Sequence, residues 1–211
     1  MSSGRDNILL AAEELFGANG FDRISVRDIS EAAGVNKALI FYHFGSKDEL
    51  FKTVLLKYFN DHHIALEAAW SASGDIYERL HRVIDAYIDF MVEHHAWPRL
   101  VQQISSTQHK DFVPIVQEGL LPLVRWAEAS LSEVADETGP RSAYHLFETV
   151  AGAVLHHFTH APVLAPIWDQ TPLAPHVIAE RRAHLHWLVD VILDALDKPY
   201  EPYEKSDSQD S

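Results

Sequence analysis

Apolar residues recur at helical spacing along nearly the whole chain, and no stretch alternates regularly enough to make a half-buried strand. Residues 6–18 place Ile8, Ala12, Leu15 and Phe16 at i, i+4, i+7 and i+8, leaving Glu13 and Glu14 on the wet side. Asn19-Gly20 stops that helix. Ser25 with Asp28 three residues on makes a capping box for the next, whose inner stripe is Val26, Ile29 and Ala33. Asn36 caps a short third helix to about Phe44, and Ser46 with Glu49 repeats the capping signature. The fold class this dictates is all-α, with about nine helices.

Longer helices follow. One runs from about 47 to 70, another from 75 to 95, and a short one starts near Pro98. A helix over 112–137 contains Pro122, which should kink or split it. The next spans 141–161 and ends before Pro162 and a proline-rich loop, and the last covers 176–197. Residues 198–211 are polar and read as a disordered tail. The longest apolar run, Val150 to Leu155, is six residues, far below the ~20 of a membrane span, so a cytoplasmic protein without a membrane partner is expected. With no Cys there is no disulfide framework, thiolate nucleophile or Cys-ligated zinc.

The three N-terminal helices carry the functional signal. Ala33-Gly34-Val35-Asn36 is a turn that sets two helices at a steep angle, as in a helix-turn-helix. The buried set is Val26, Ile29, Ala33, Val35, Ile40 and Phe44, which leaves Lys37, Ala38, Leu39, Tyr42 and His43 pointing outward. Exposed apolar groups on so short a helix suit contact with thymine methyls, while Lys, Tyr and His hold phosphates. Free amides near Ser25 and Asn36 are natural phosphate anchors.

Over about residues 6–56 the chain resembles the N-terminal domain of the TetR/AcrR family of one-component transcriptional regulators. The matching features are the Gly20-Phe21 turn, Ser25-Val-Arg-Asp-Ile29, Ala33-Gly34-Val35, Tyr42-His43-Phe44 and Ser46-Lys47-Asp48-Glu49-Leu50. The resemblance implies that Ser25, Arg27, Tyr42, His43 and Lys47 touch the DNA backbone, and that Asn36, Lys37, Ala38 and Leu39 face the bases. Leu39 stands where the family commonly has Thr, so base preference does not transfer. The implied division is a helix-turn-helix domain over 1–46 and an effector-binding and dimerisation domain over 47–197. The implied function is a homodimeric repressor released from a palindromic double-stranded operator by a small apolar or aromatic effector, with no cofactor.

Two apolar stripes near the C-terminus suit the dimer: Val150, Ala151, Val154, Leu155 and Phe158, then Leu185, Leu188, Val189, Ile192 and Leu196. Effector-pocket candidates on the middle helices are Phe59, His63, Trp70, Tyr87, Phe90, Met91, His94, Gln102, Trp126, Tyr144 and Phe147. Fourteen His include His156 and His160, spaced i,i+4 as weak candidate metal ligands without a clear third partner. A metal- or pH-responsive regulator is the alternative they raise. A helical protein-interaction module has no use for the outward reading-helix surface. Nothing resembles a nucleophile elbow, phosphate loop or dinucleotide fingerprint, and an Asp85–Asp89 carboxylate pair is the remaining hint of an enzyme.

Net charge argues at first against a polyanion partner, since 17 Lys+Arg face 31 Asp+Glu, a balance of −14. Its distribution reverses the inference. Residues 23–57 hold six Lys+Arg and four acids, whereas 58–211 hold ten and 23. The segment with the reading helix is locally basic.

Overall fold

A computed structural model describes residues 3–106, 112–169 and 171–200, and among them nine α-helices and no strand are found. The helices are α1 (Gly4–Asn19), α2 (Val26–Ala32), α3 (Lys37–Phe44), α4 (Lys47–Ser71), α5 (Ile76–Glu93), α6 (Trp97–Ser106), α7 (Val113–Leu131), α8 (Ala143–Trp168) and α9 (Pro175–Leu196). Local chemistry sets the early boundaries. Ser25 Oγ accepts from the Asp28 amide while the Asp28 carboxylate accepts from the Ser25 amide, so two orphan donors are satisfied reciprocally. The Asn36 side chain caps α3 at the Ala38 amide, 2.9 Å away. Gly45 ends α3 at φ +77°, a conformation that disfavours any side chain.

Helices α1 and α3 pack on the N-terminal half of α4, and α2 packs on α1 and α3. Ile8, Phe16, Ile29, Ile40, Leu50 and Phe51 share one core, and truncating Phe51 to Ala would cost about 3–5 kcal/mol. Phe21, Phe51 and Phe112 meet with ring centroids 4.9–5.0 Å apart, which ties the chain entering α7 to this head. Beyond it α4 runs on between α5 and α7, α9 packs on α5, and α8 on α7. Glu13 on α1 joins head to body, 3.3 Å from Lys57 Nζ and 3.4 Å from His94 Nδ1.

Three boundaries differ from the sequence reading. The helix expected over 112–137 stops at Leu131, because Arg141 forks onto the Asp136 carboxylate and the Asp136 amide donates to the Arg141 carbonyl, making a turn. Pro122 does not split α7: it lies on the exposed face, where water can satisfy the helix carbonyl it leaves without a partner. The helix expected to end before Pro162 continues to Trp168. A proline removes one helix bond and bends the helix without ending it when the turns around it stay bonded. The actual stop is Asp169, left-handed at φ 51°. At the chain end Arg141 donates to the Lys198 carbonyl at 2.7 Å, so residues 198–200 are held against the body, and the rest of the expected tail, 201–211, lies outside the described residues.

Candidate nucleic-acid interface and cavity

On α3, Ile40 and Phe44 fix the inner face against the head core. Their burial turns Lys37, Ala38, Phe41 and Tyr42 outward, with Phe41 50% and Tyr42 81% exposed. His43 is half-buried, its ring edge-on to Tyr42 at 5.1 Å. Leu39, expected outward beside Ala38, is drawn half inward, its methyl lying over the backbone of Gly4 at the start of α1. Phe41 was missed by the sequence reading, although it lies four residues beyond Lys37 and three beyond Ala38 on one helix face. Arg5 was missed too; its guanidinium lies 5.3 Å over the Phe44 ring, at the same end of the head.

The backbone-contact candidates differ in how free they are. Arg27 pairs with Glu31 at 2.7 Å, but both are well exposed and such a surface pair opens at little cost. Ser25 and Asn36 spend their side-chain oxygens on helix amides. The Asp28 carboxyl is held below the usual carboxylate range by the Ser25 hydroxyl and amide. Lys47 is engaged in the fold: Nζ donates to the carbonyls of Phe21 at 2.9 Å and Ile24 at 2.8 Å, and lies 4.0 Å over the Phe21 ring. It holds the α1–α2 loop and keeps one ammonium N–H for anything else.

In the body, α4, α5, α7, α8 and α9 line a partly open cavity of about 80 Å³. Of the eleven sequence candidates, Trp70, Tyr87, Trp126 and Phe147 line it. Phe59, Phe90, Met91 and His94 belong instead to an aromatic cluster beneath, built around Tyr58, which stacks on Trp97 at 5.2 Å. His63 lies 5.8 Å from the Trp126 ring, and Gln102 and Tyr144 are at the surface. Helical period selects aromatics that face inward without saying which of two neighbouring interiors they reach.

The side chains of the two dimer stripes already have neighbours within the single chain. Ala151, Val154, Phe158, Leu185 and Val189 are buried in the core of the single chain, and Val150, Leu155, Leu188 and Leu196 pack partly against it. Ile192 lines the cavity. The apolar side chains that α8 and α9 leave uncovered are others: Val163 and Ile167, 67% and 71% exposed, with Trp187 and Val191, 58% and 46%. Asp85 and Asp89 are both bound by Arg182, so they are ion-paired and not a free carboxylate pair. His156 and His160 stack at 4.2 Å, and no metal-binding group of three His, Cys, Asp or Glu is found among the described residues. None of the described helices is long and apolar enough to cross a membrane.

Residues 8–54, which contain the outward face of α3, match the family of bacterial regulatory proteins, tetR family. The chain is 32% identical over 90 residues to the HTH-type transcriptional activator FasR of Mycolicibacterium smegmatis, an alignment covering 43% of this chain and 41% of that one. It is 28% identical over 135 residues to the HTH-type transcriptional repressor KstR2 of the same organism, covering 56% of this chain and 66% of that one. In both cases the alignment spans less than two thirds of the relative. Among solved structures, the transcriptional regulator FadR from Bacillus subtilis in complex with stearoyl-CoA shares the fold, with a TM-score of 0.66 at 16% identity over 90% of this chain and 96% of that one. The helix-turn-helix head is thus similar to the tetR family of bacterial regulatory proteins over residues 8–54, and the all-helical chain as a whole shares the fold of that solved regulator.

Proposed function

We propose that the chain is a DNA-binding transcriptional repressor that acts as a homodimer on a palindromic operator and is released by a small apolar or aromatic effector. The outward face of α3 carries the proposal. An 81%-exposed Tyr42 beside Phe41, Ala38 and Lys37 is costly to leave in water and well suited to a major groove. The uncovered Val163, Ile167, Trp187 and Val191 supply a surface for a second copy, and two copies would present two reading helices to two half-sites. One aligned relative is named an activator and the other a repressor; repression is the simpler reading, because occupying an operator needs no further contact.

The cavity supports the effector. FadR of B. subtilis, which shares the fold, was solved with stearoyl-CoA. At about 80 Å³ the cavity is smaller than the few hundred Å³ that drug-sized ligands occupy, so a ligand of that size would widen it by parting the helices that line it. Leu66 and Trp70 of α4 form part of its wall, and Leu50, Phe51 and Val54 of the same helix anchor the head. Ligand binding thereby favours a different setting of the head, a shift between two populations.

The test is retention of DNA from the chain's own upstream region. Tyr42→Ala combined with Lys37→Ala should weaken it roughly thirtyfold or more while the oligomeric state is unchanged. Undiminished retention by that double variant would remove the assignment.

A further inference from the structure

Two side-chain nitrogens on α4 are sealed from solvent and have no hydrogen-bond partner: Nε2 of His62 and Nε2 of His63. Folded proteins keep few such atoms, because each forgoes its hydration without replacement. His62 is 3% exposed, its ring 4.6 Å from Tyr87 and stacked on Phe90 at 4.7 Å. The ring of His63 lies 5.8 Å from Trp126. Tyr87 and Trp126 are both walls of the cavity, and so is Leu66, one turn further along α4. Each orphaned imidazole thus neighbours one aromatic side chain of the cavity wall. Neighbouring residues diverge by about 100° on a helix, so His62 meets Tyr87 and Phe90 of α5 and His63 meets Trp126 of α7.

We propose that the occupied cavity extends past Tyr87 and Trp126, and that its ligand is an apolar molecule whose leading end carries one uncharged hydrogen-bonding group, a hydroxyl or carbonyl, received by His62 and His63. The inference rests on the effector reading above and names the chemistry of that ligand. No Lys, Arg, Asp or Glu lines the cavity. Burial pushes the His62 imidazole down to about 3, so it stays neutral and cannot offset a carboxylate placed against it. A cation beside the wall at Trp70 is Arg79, 5.6 Å over that ring. Trp70 stands about 12 Å along α4 from His62, so an anionic head would seat there, away from the two histidines.

Displacement of Nile red, an uncharged fluorophore, from the full-length protein by octanol, octane and octanoate tests this. His62→Phe keeps the aromatic stack and removes both ring nitrogens. It should weaken octanol binding roughly fivefold while leaving octane and octanoate unaffected. Octanol should also shift the His62 imidazole nitrogen NMR signal in the unsubstituted protein, a readout that needs no variant to fold. Octanol affinity unchanged in both His62→Phe and His63→Phe, with no nitrogen shift, overturns the inference while octane displacement preserves the cavity as a ligand site. Octanoate binding tightest and lost in Arg79→Ala overturns it as well, by placing the polar end at Trp70. If Nile red and all three probes fail to bind, the effector reading itself fails.

Discussion

Lys47 stands where the family resemblance implies a phosphate contact, yet two of its three N–H bonds go to the Phe21 and Ile24 carbonyls. Lys47→Met would strip both carbonyls of their donor at a cost of about 2 kcal/mol, read as a fall in Tm of roughly 4–8 °C. A Tm within a degree of the parent would show the contacts to be idle. His62 makes a second residue-scale prediction. The unfolded chain takes up a proton at this histidine near pH 6.5, whereas burial in the fold pushes its pKa to about 3. Between those values the unfolded state holds the extra proton, so stability is complete above pH 6.5 and declines as pH falls, by about 2 kcal/mol at about pH 5. Glu13, held below the usual carboxylate range first by its bond to His94, loses its own contribution as pH falls further. That loss is common to the parent and to His62→Phe, so urea midpoints at about pH 7.5 and about pH 5 isolate His62. Equal pH dependence in the two proteins would refute the claim. The caps at Ser25, Asn36 and Ser46 were legible because each bond spans two or three residues. The partners of Lys47 lie 26 and 23 residues back, beyond any local pattern.

The same limit acts on whole helices. Periodicity placed apolar stripes on α8 and α9, and within the single chain these helices pack against α5, α6, α7, one another and the cavity. A 3.6-residue pattern says that a face is buried and is silent on whether the covering surface is intramolecular. What the fold leaves bare is a second, patchier set: Val163 and Ile167, four residues apart on α8, and Trp187 and Val191, four apart on α9. The α8 pair lies beyond Pro162, in the segment that reads as loop when proline is taken as a stop. If a second copy covers this set, Trp187→Glu should weaken self-association by roughly a hundredfold or more, as large aromatic anchors commonly do. Because Trp187 is 58% exposed in the single chain, its Tm at a concentration where both proteins are monomeric should hardly move. Sedimentation velocity showing an undiminished dimer would place the interface elsewhere. The paired outcome matters, since loss of the dimer should weaken operator retention along with it.

At the scale of the whole molecule the charge is divided by position. Thirteen of the fourteen histidines, and 23 of the 31 acids, follow residue 57, while the head keeps a small basic excess. Of the head's cations, Lys47 is engaged with carbonyls and Lys57 lies between Glu13 and Asp61, which leaves Arg5, Arg23, Arg27, Lys37 and Lys52 to neutralise phosphates. With two or three of them engaged per subunit, a dimer should show a slope of log K against log salt of about −5, at about −0.9 per phosphate. A slope near −10 would require a basic surface this chain does not have. The acidic body opposes DNA from a distance, and His43 is the one histidine in the head, so lowering the pH changes mainly the far field. Affinity should therefore rise as pH falls from about 8 to about 6, where histidine ordinarily gains its proton. His62, kept neutral by burial, takes no part. A far-field effect is screened over a Debye length of about 10 Å at 0.1 M salt and about 3 Å at 1 M. The pH dependence should thus shrink as salt is raised, whereas a direct His43–phosphate contact would keep more of it. Binding constants measured across both variables separate the two, and a pH effect that survives high salt and disappears in His43→Gln would reassign it from the body to the reading helix.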